Sequence, residues 1–246
     1  MPEDYYAYWN KKRKDDKLYN REILAKKIIL RIVSGGETIL DAGCGNGRFM
    51  ESILKSSPNL KIKGLDFSES EIKTAREKNL DVLQADFEKG IPLSKETFDF
   101  IYAGEVIEHL FNPDFFLDEL NRVLKKKGHI LITTPNLCSW LNRILMPLGI
   151  QPLFLEPSTR SKLIGAGILK KFKQDSQPVG HVRIFTFEAL KDLLNLSGFK
   201  ILKTWGDVFE EGFPKNLLYL DRIFNYFPTV SSRFIILSKK VRNLGE

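Results

Sequence analysis

Short apolar runs alternate with stretches of helical periodicity along most of the chain. Leu18, Ile23, Leu24, Ile28, Ile29 and Ile32 recur at helical intervals, which predicts a helix over 15–33 that Gly35-Gly36 ends. Strands are expected at Thr38–Ala42, Ile62–Asp66, Val82–Ala85, Phe98–Ala103 and Ile130–Thr133. Helices are expected between them near 47–56, 69–78 and 114–125. The third of these carries Phe116, Leu117, Leu120 and Leu124 on one side and should stop in the lysine cluster before Gly128. Strand–helix alternation of this kind predicts an α/β fold with a parallel sheet covered on both faces.

The pattern breaks after Pro135-Asn136. Residues 137–180 read as an insertion over the sheet, apolar from Trp140 to Leu148 and then basic. A helix near 187–197, a strand near 199–205, a second insertion at 207–230 and a last strand at Phe234–Ser238 follow. The expectation is one domain over 1–246 with a helical N-terminal lid at 1–33, whose Tyr6, Tyr8 and Trp9 could close over a cation.

Composition narrows the class. With 43% apolar residues and 18 Phe, the chain of 246 residues can bury a core. Cys44 and Cys138 cannot build a disulfide framework, and no Cys/His spacing suits structural zinc. No basic-then-apolar leader and no spanning apolar run is seen, so a cytoplasmic, reducing location is expected. The net charge of +7 favours anionic partners but selects none.

The segment Ile39–Phe49, ILDAGCGNGRF, closes a strand and opens a helix. Gly43 and Gly45 let backbone approach a ligand, and Asp66 and Asp86 end the next two strands. Asp66 suits a ribose. Asp86 suits an adenine amine, with Phe67 or Phe87 packing beside the ring. Dinucleotide loops read G-x-G-x-x-G and seat a pyrophosphate. Here the glycines read G-x-G-x-G, and Asp41 would repel a pyrophosphate while suiting an ammonium group. S-adenosylmethionine combines an ammonium group, ribose, adenine and sulfonium without phosphate.

With GLDFS (64–68), QADF (84–87), FDFIYAGEVIEHL (98–110), LNRVLKKKGHILITTPN (120–136) and HVRIFTFEALKDLLNLSGF (181–199), the chain resembles the class I S-adenosylmethionine-dependent methyltransferases. The resemblance implies a Rossmann-like seven-stranded sheet, mostly parallel with the last strand antiparallel. It also implies cofactor contacts at Asp41, Gly43, Gly45, Asp66, Asp86 and the backbone around Gly104.

Glu105, Glu108 and His109 would share one helical face, at i, i+3 and i+4. They could hold Mg²⁺, Zn²⁺ or another divalent ion. His109 alone could act as a general base, or the acids could cap loops with His109 packed beneath the insertion. The E-x-x-E-H element is similar to that of the ubiquinone-biosynthesis O-methyltransferases, which use such a triad for a divalent ion and whose insertion is associated with membrane contact. It also resembles small-RNA 3′-terminal 2′-O-methyltransferases, in which a later histidine is a fourth ligand; His181 lies in the corresponding stretch. The expectation is O-methylation of a small or lipid-like molecule, with Glu105, His109 and His181 in the chemistry. RNA 2′-O-methylation and a non-catalytic scaffold stand as alternatives.

Overall fold

The computed structural model describes residues 17–172, 176–210 and 215–244. Tyr6, Tyr8 and Trp9 of the expected lid lie outside them. The described chain runs α1 (Asn20–Ile32), β1 (Thr38–Ala42), α2 (Arg48–Ser56), β2 (Lys61–Asp66), α3 (Glu69–Glu77), β3 (Val82–Gln84) and β4 (Phe98–Gly104). It continues with α4 (Pro113–Val123), β5 (Leu124–Pro135), α5 (Trp140–Leu145), α6 (Phe187–Leu196), β6 (Phe199–Asp207), α7 (Lys215–Phe224) and β7 (Arg233–Lys240).

The seven strands form one Rossmann-like sheet in the order β3-β2-β1-β4-β5-β7-β6. β1 pairs in parallel with β2 and β4, and β4 with β5. β7 pairs antiparallel with both β5 and β6, so β6 runs with the rest and only β7 is reversed. Helices cover both faces. Leu40 and Ala42 of β1 pack with Phe116 and Leu120 of α4 and Leu190 of α6. Ile39, one residue out of phase, packs with Ile29 of α1, Met50 of α2 and Ile72 of α3. The two-sided burial explains why these strands read as nearly continuous apolar runs.

Three expectations need correction. α1 begins at Asn20, where Tyr19 is the cap and its N–H donates to Glu22 Oε2 at 2.8 Å. α4 stops at Val123, before the lysines, and β5 runs from Leu124 through the lysine cluster. The helix-end carbonyls go instead to distant donors: Asn121 O accepts from Lys240 Nζ at 2.7 Å, Arg122 O from Glu96 N at 2.9 Å and Val123 O from Thr97 N at 2.8 Å. Residues 105–109 are not a regular helix. Glu105 has φ of 56°, and only Ile107–His109 form a 3-10 turn.

Two segments beyond β5 are joined by a buried carboxylate. Asp221 of α7 accepts from Trp140 Nε1 at 2.7 Å, Ser232 Oγ at 2.7 Å and Phe209 N at 2.8 Å. Trp140 also stacks on Phe224, with centroids 5.1 Å apart. Replacing Asp221 by Ala strands three donors. The expected loss is about 3 kcal/mol of unfolding free energy, with Asp221→Asn losing less. Urea unfolding measures both, and a loss below about 1 kcal/mol for Ala would contradict the assignment.

Candidate active site

The carboxyl ends of the parallel strands and the first residue of β7 meet along one edge of the sheet. Asp41, one residue before the end of β1, is 2% exposed. Neither of its carboxylate oxygens has a hydrogen-bond partner among the described residues. Burial, and then the Asp66 and Glu22 carboxylates, hold its carboxyl well above the usual range. An acid so placed is costly unless a cation arrives to offset its charge.

Three glycines shape the turn beside it. Gly43, Gly45 and Gly47 have φ of 91°, 51° and 76°. A side chain at Gly43 would strike Val106, and one at Gly47 would strike Leu80. Gly43 N and Cys44 N donate to Leu65 O at 2.7 and 2.9 Å, closing the turn on β2. Cys44 fills the small space facing Gly64, where a Cβ would come within 2.7 Å of its sulfur. Asp66 ends β2 and accepts from Gly45 N at 2.8 Å and Ser68 N at 2.9 Å, so glycine loop and rim acid are one unit. Burial raises its carboxyl, and those amides oppose the shift.

Asp86 lies at the rim beyond β3, accepting from Glu88 N at 3.1 Å and pairing with Lys89 at 3.2 Å. Phe67 is half-buried beside Asp66. Phe87 is in the core instead, with its ring 5.1 Å from Phe116. Its turn toward α4 removes it from the expected ring-packing role. Gly104 ends β4, and a Cβ there would strike the Tyr102 phenol, which folds back over it.

The expected face of Glu105, Glu108 and His109 is divided. Glu105 Oε2 accepts from Arg233 Nε at 2.9 Å, and its Oε1 from Thr133 Oγ1 at 3.0 Å. Glu108 is fully buried; its Oε2 accepts from Thr134 Oγ1 at 3.0 Å, and its Oε1 has no hydrogen-bond partner. Burial, then the Glu105 charge, push its carboxyl well up. His109 and His181 lie with ring centroids 4.9 Å apart. One ligand atom each from Glu108, His109 and His181 lies within 4.8 Å of the others. The cluster therefore gains His181 and lacks Glu105.

The chemistry of this trio fits a cation. His109 Nδ1 lies 3.1 Å from Gly180 O, and His181 Nδ1 lies 2.9 Å from Phe154 O. A carbonyl only accepts, so each Nδ1 carries the proton and each Nε2 offers a lone pair. Burial, and then the neighbouring imidazole, lower His109 to about 3. Burial lowers His181 to about 4. Two neutral imidazoles and a buried carboxylate suit a transition-metal ion such as Zn²⁺ better than the oxygen-seeking Mg²⁺.

Sequence reading did not single out Arg233, Thr133, Thr134 or Glu22. Thr133 and Thr134 stand in a quoted motif without an assigned role. Glu22 binds Arg48 of α2 at 2.7 Å and fixes α1 beside the glycine turn. For Arg233 no local signal exists, because its partner is 128 residues away.

Residues 34–177, more than half of the chain, match the methyltransferase domain family. The malonyl-[acyl-carrier protein] O-methyltransferase of Paenibacillus sp. is 34% identical over 45% of this chain and 44% of its own length. The mitochondrial ubiquinone biosynthesis O-methyltransferase of Dictyostelium discoideum is 30% identical over 56% of this chain and 46% of its own. The chain thus spans less than half the length of either enzyme. An uncharacterized protein of Methanocaldococcus jannaschii is 30% identical over 79% of this chain and 78% of its own. A SAM-dependent methyltransferase structure from Archaeoglobus fulgidus superposes with a TM-score of 0.59 at 22% identity, covering 96% of this chain and 99% of that one. Fold and sequence agree, and the chain belongs to the methyltransferase domain family.

Proposed function

We propose that the chain is an S-adenosylmethionine-dependent methyltransferase acting on an oxygen of a small or lipid-like acceptor. The observation that carries this reading is the pair of buried, unpaired oxygens on Asp41 beside the Gly43–Gly47 turn. They fit the cofactor's cationic amino-acid tail and oppose a pyrophosphate. Asp66 would take the ribose hydroxyls, Asp86 and Phe67 would border the adenine, and Gly104 would leave room along the backbone. When bound, the cofactor supplies a methyl group activated by the sulfonium. The protein's part is alignment and exclusion of water, with alignment worth up to ~7–11 kcal/mol.

An oxygen acceptor is supported by the relatives, both named as O-methyltransferases. An apolar acceptor body, or peripheral contact with lipid, is supported by exposed apolar side chains of the two segments joined through Asp221. Ile144 stands on α5 and Met146 and Leu148 after it, and Ile223, Tyr226 and Phe227 stand on and after α7. Among the described residues no helix is long and apolar enough to cross a membrane. An imidazole held near pKa 3 is a weak general base, which favours a cation at Glu108, His109 and His181 over His109 acting alone. Such a cation would orient the acceptor oxygen and favour loss of its proton.

Two outcomes are expected. In isothermal titration the protein binds S-adenosylmethionine, and Asp66→Ala weakens binding by about 100-fold, as loss of two charged hydrogen bonds would. No heat at millimolar ligand with folded protein defeats the proposal. In Zn²⁺ titrations monitored by competition with a chelating dye, His181→Ala weakens the ion by at least about 10-fold, while Glu105→Gln changes it by less than about 3-fold. The reverse ranking would restore the ligand set expected from sequence.

A further inference from the structure

We infer that Glu156 is a positioning residue, which sets the orientation and tautomer of the His109 and His181 imidazoles. The inference rests on the proposed role of that pair and extends it to a loop residue with no motif of its own.

Three consecutive amides converge on the Glu156 carboxylate. Val179 N donates at 2.8 Å, Gly180 N at 2.7 Å and His181 N at 3.3 Å. Converging amides of this kind form an anion-binding nest, here filled by a side chain of the same protein. Gly180, with φ of 89°, provides the turn that the nest requires. The next two amides, Val182 N and Arg183 N, donate to Glu108 O at 2.9 and 3.0 Å. Residues 179–183 are therefore gripped between Glu156 and the 3-10 turn that bears Glu108 and His109.

Both histidine orientations follow from this grip. With its amides on Glu156, the 179–181 segment presents Gly180 O to His109 Nδ1. The carbonyl facing His181 Nδ1 belongs to Phe154, two residues before Glu156. Phe154 has φ of 70°, a left-handed conformation that a non-glycine residue adopts at a cost, and that turn delivers its carbonyl. The Phe154 ring also lies 5.5 Å from the Arg233 guanidinium carbon. One short segment thus holds the carbonyl acceptor of one imidazole and the amide anchor behind that of the other. A carboxylate is needed because all three contacts are donors; a glutamine would turn its own NH₂ toward one of them.

The test uses the full chain with ¹⁵N-labelled histidine. The protein has only three histidines, and a His129→Gln background leaves the two of interest. Wild type is expected to show both imidazoles protonated at Nδ1. Glu156→Gln is expected to lose that signature at one or both rings and to bind Zn²⁺ about 10–100-fold more weakly, with Glu156→Asp intermediate. Circular dichroism and S-adenosylmethionine titration of the same variants report the fold and the opposite half of the site, and neither should change. A Glu156→Gln variant that keeps both Nδ1–H signals overturns the inference. So does failure of both variants to fold, which would make Glu156 structural only. Wild type that binds no S-adenosylmethionine yet shows the histidine response would sink the proposed function and spare this one.

Discussion

The ion pair between Glu105 and Arg233 organises the half of the site that carries Glu108, His109 and His181. It exists because β7 runs against its neighbours, so its first residue arrives at the edge where the parallel strands end. Both partners are largely removed from water, with the Arg233 side chain 6% exposed. Removing one partner of such a pair typically costs several kcal/mol, because the survivor is left buried and alone. The pair also decides what Glu105 cannot do. With one oxygen on Arg233 and the other on Thr133, it is committed to the scaffold, and Glu108 is the carboxylate that faces the imidazoles.

Where signals were local, the sequence was readable. β4 stands out as an apolar run because both faces of the sheet are covered, and the glycine turn stands out because its backbone tolerates little else. Asp41 and Asp66 lie near and at the ends of β1 and β2, as the strand pattern predicts. Errors arose where distant partners override local preference. The lysines after Val123 resemble a helix end, yet Lys240 and the amides of Glu96 and Thr97 take the last carbonyls, and residues 124–127 extend β5. Phe87, expected with Phe67 as one of two candidates beside the ring, packs instead on Phe116 in the core. Glu105 was assigned to a helix face, which its positive φ forbids. Glu156 sits in a stretch without periodicity, and nothing local marks it.

The two halves of the site differ in how they hold charge. On the cofactor side, Asp41 is kept without a partner and Asp66 is supported by backbone amides, an arrangement poised for a cationic ligand. On the side of the two histidines, burial favours the neutral rings and carbonyls align them. Glu105 and Phe154, two of the five non-glycine residues with positive φ among the described residues, border this half.

The position of β7 also bears on how the molecule assembles. It slots between β5 and β6 after every other described element has been synthesised, bringing contacts of very long sequence separation. Such pairings form slowly, because loop closure comes before any gain from contact. A nascent chain can therefore complete the glycine turn and its acids early, but it lacks Arg233 until the final strand threads into place. The two halves of the site therefore form in order along the chain, and the half that holds Arg233 waits for the last described strand.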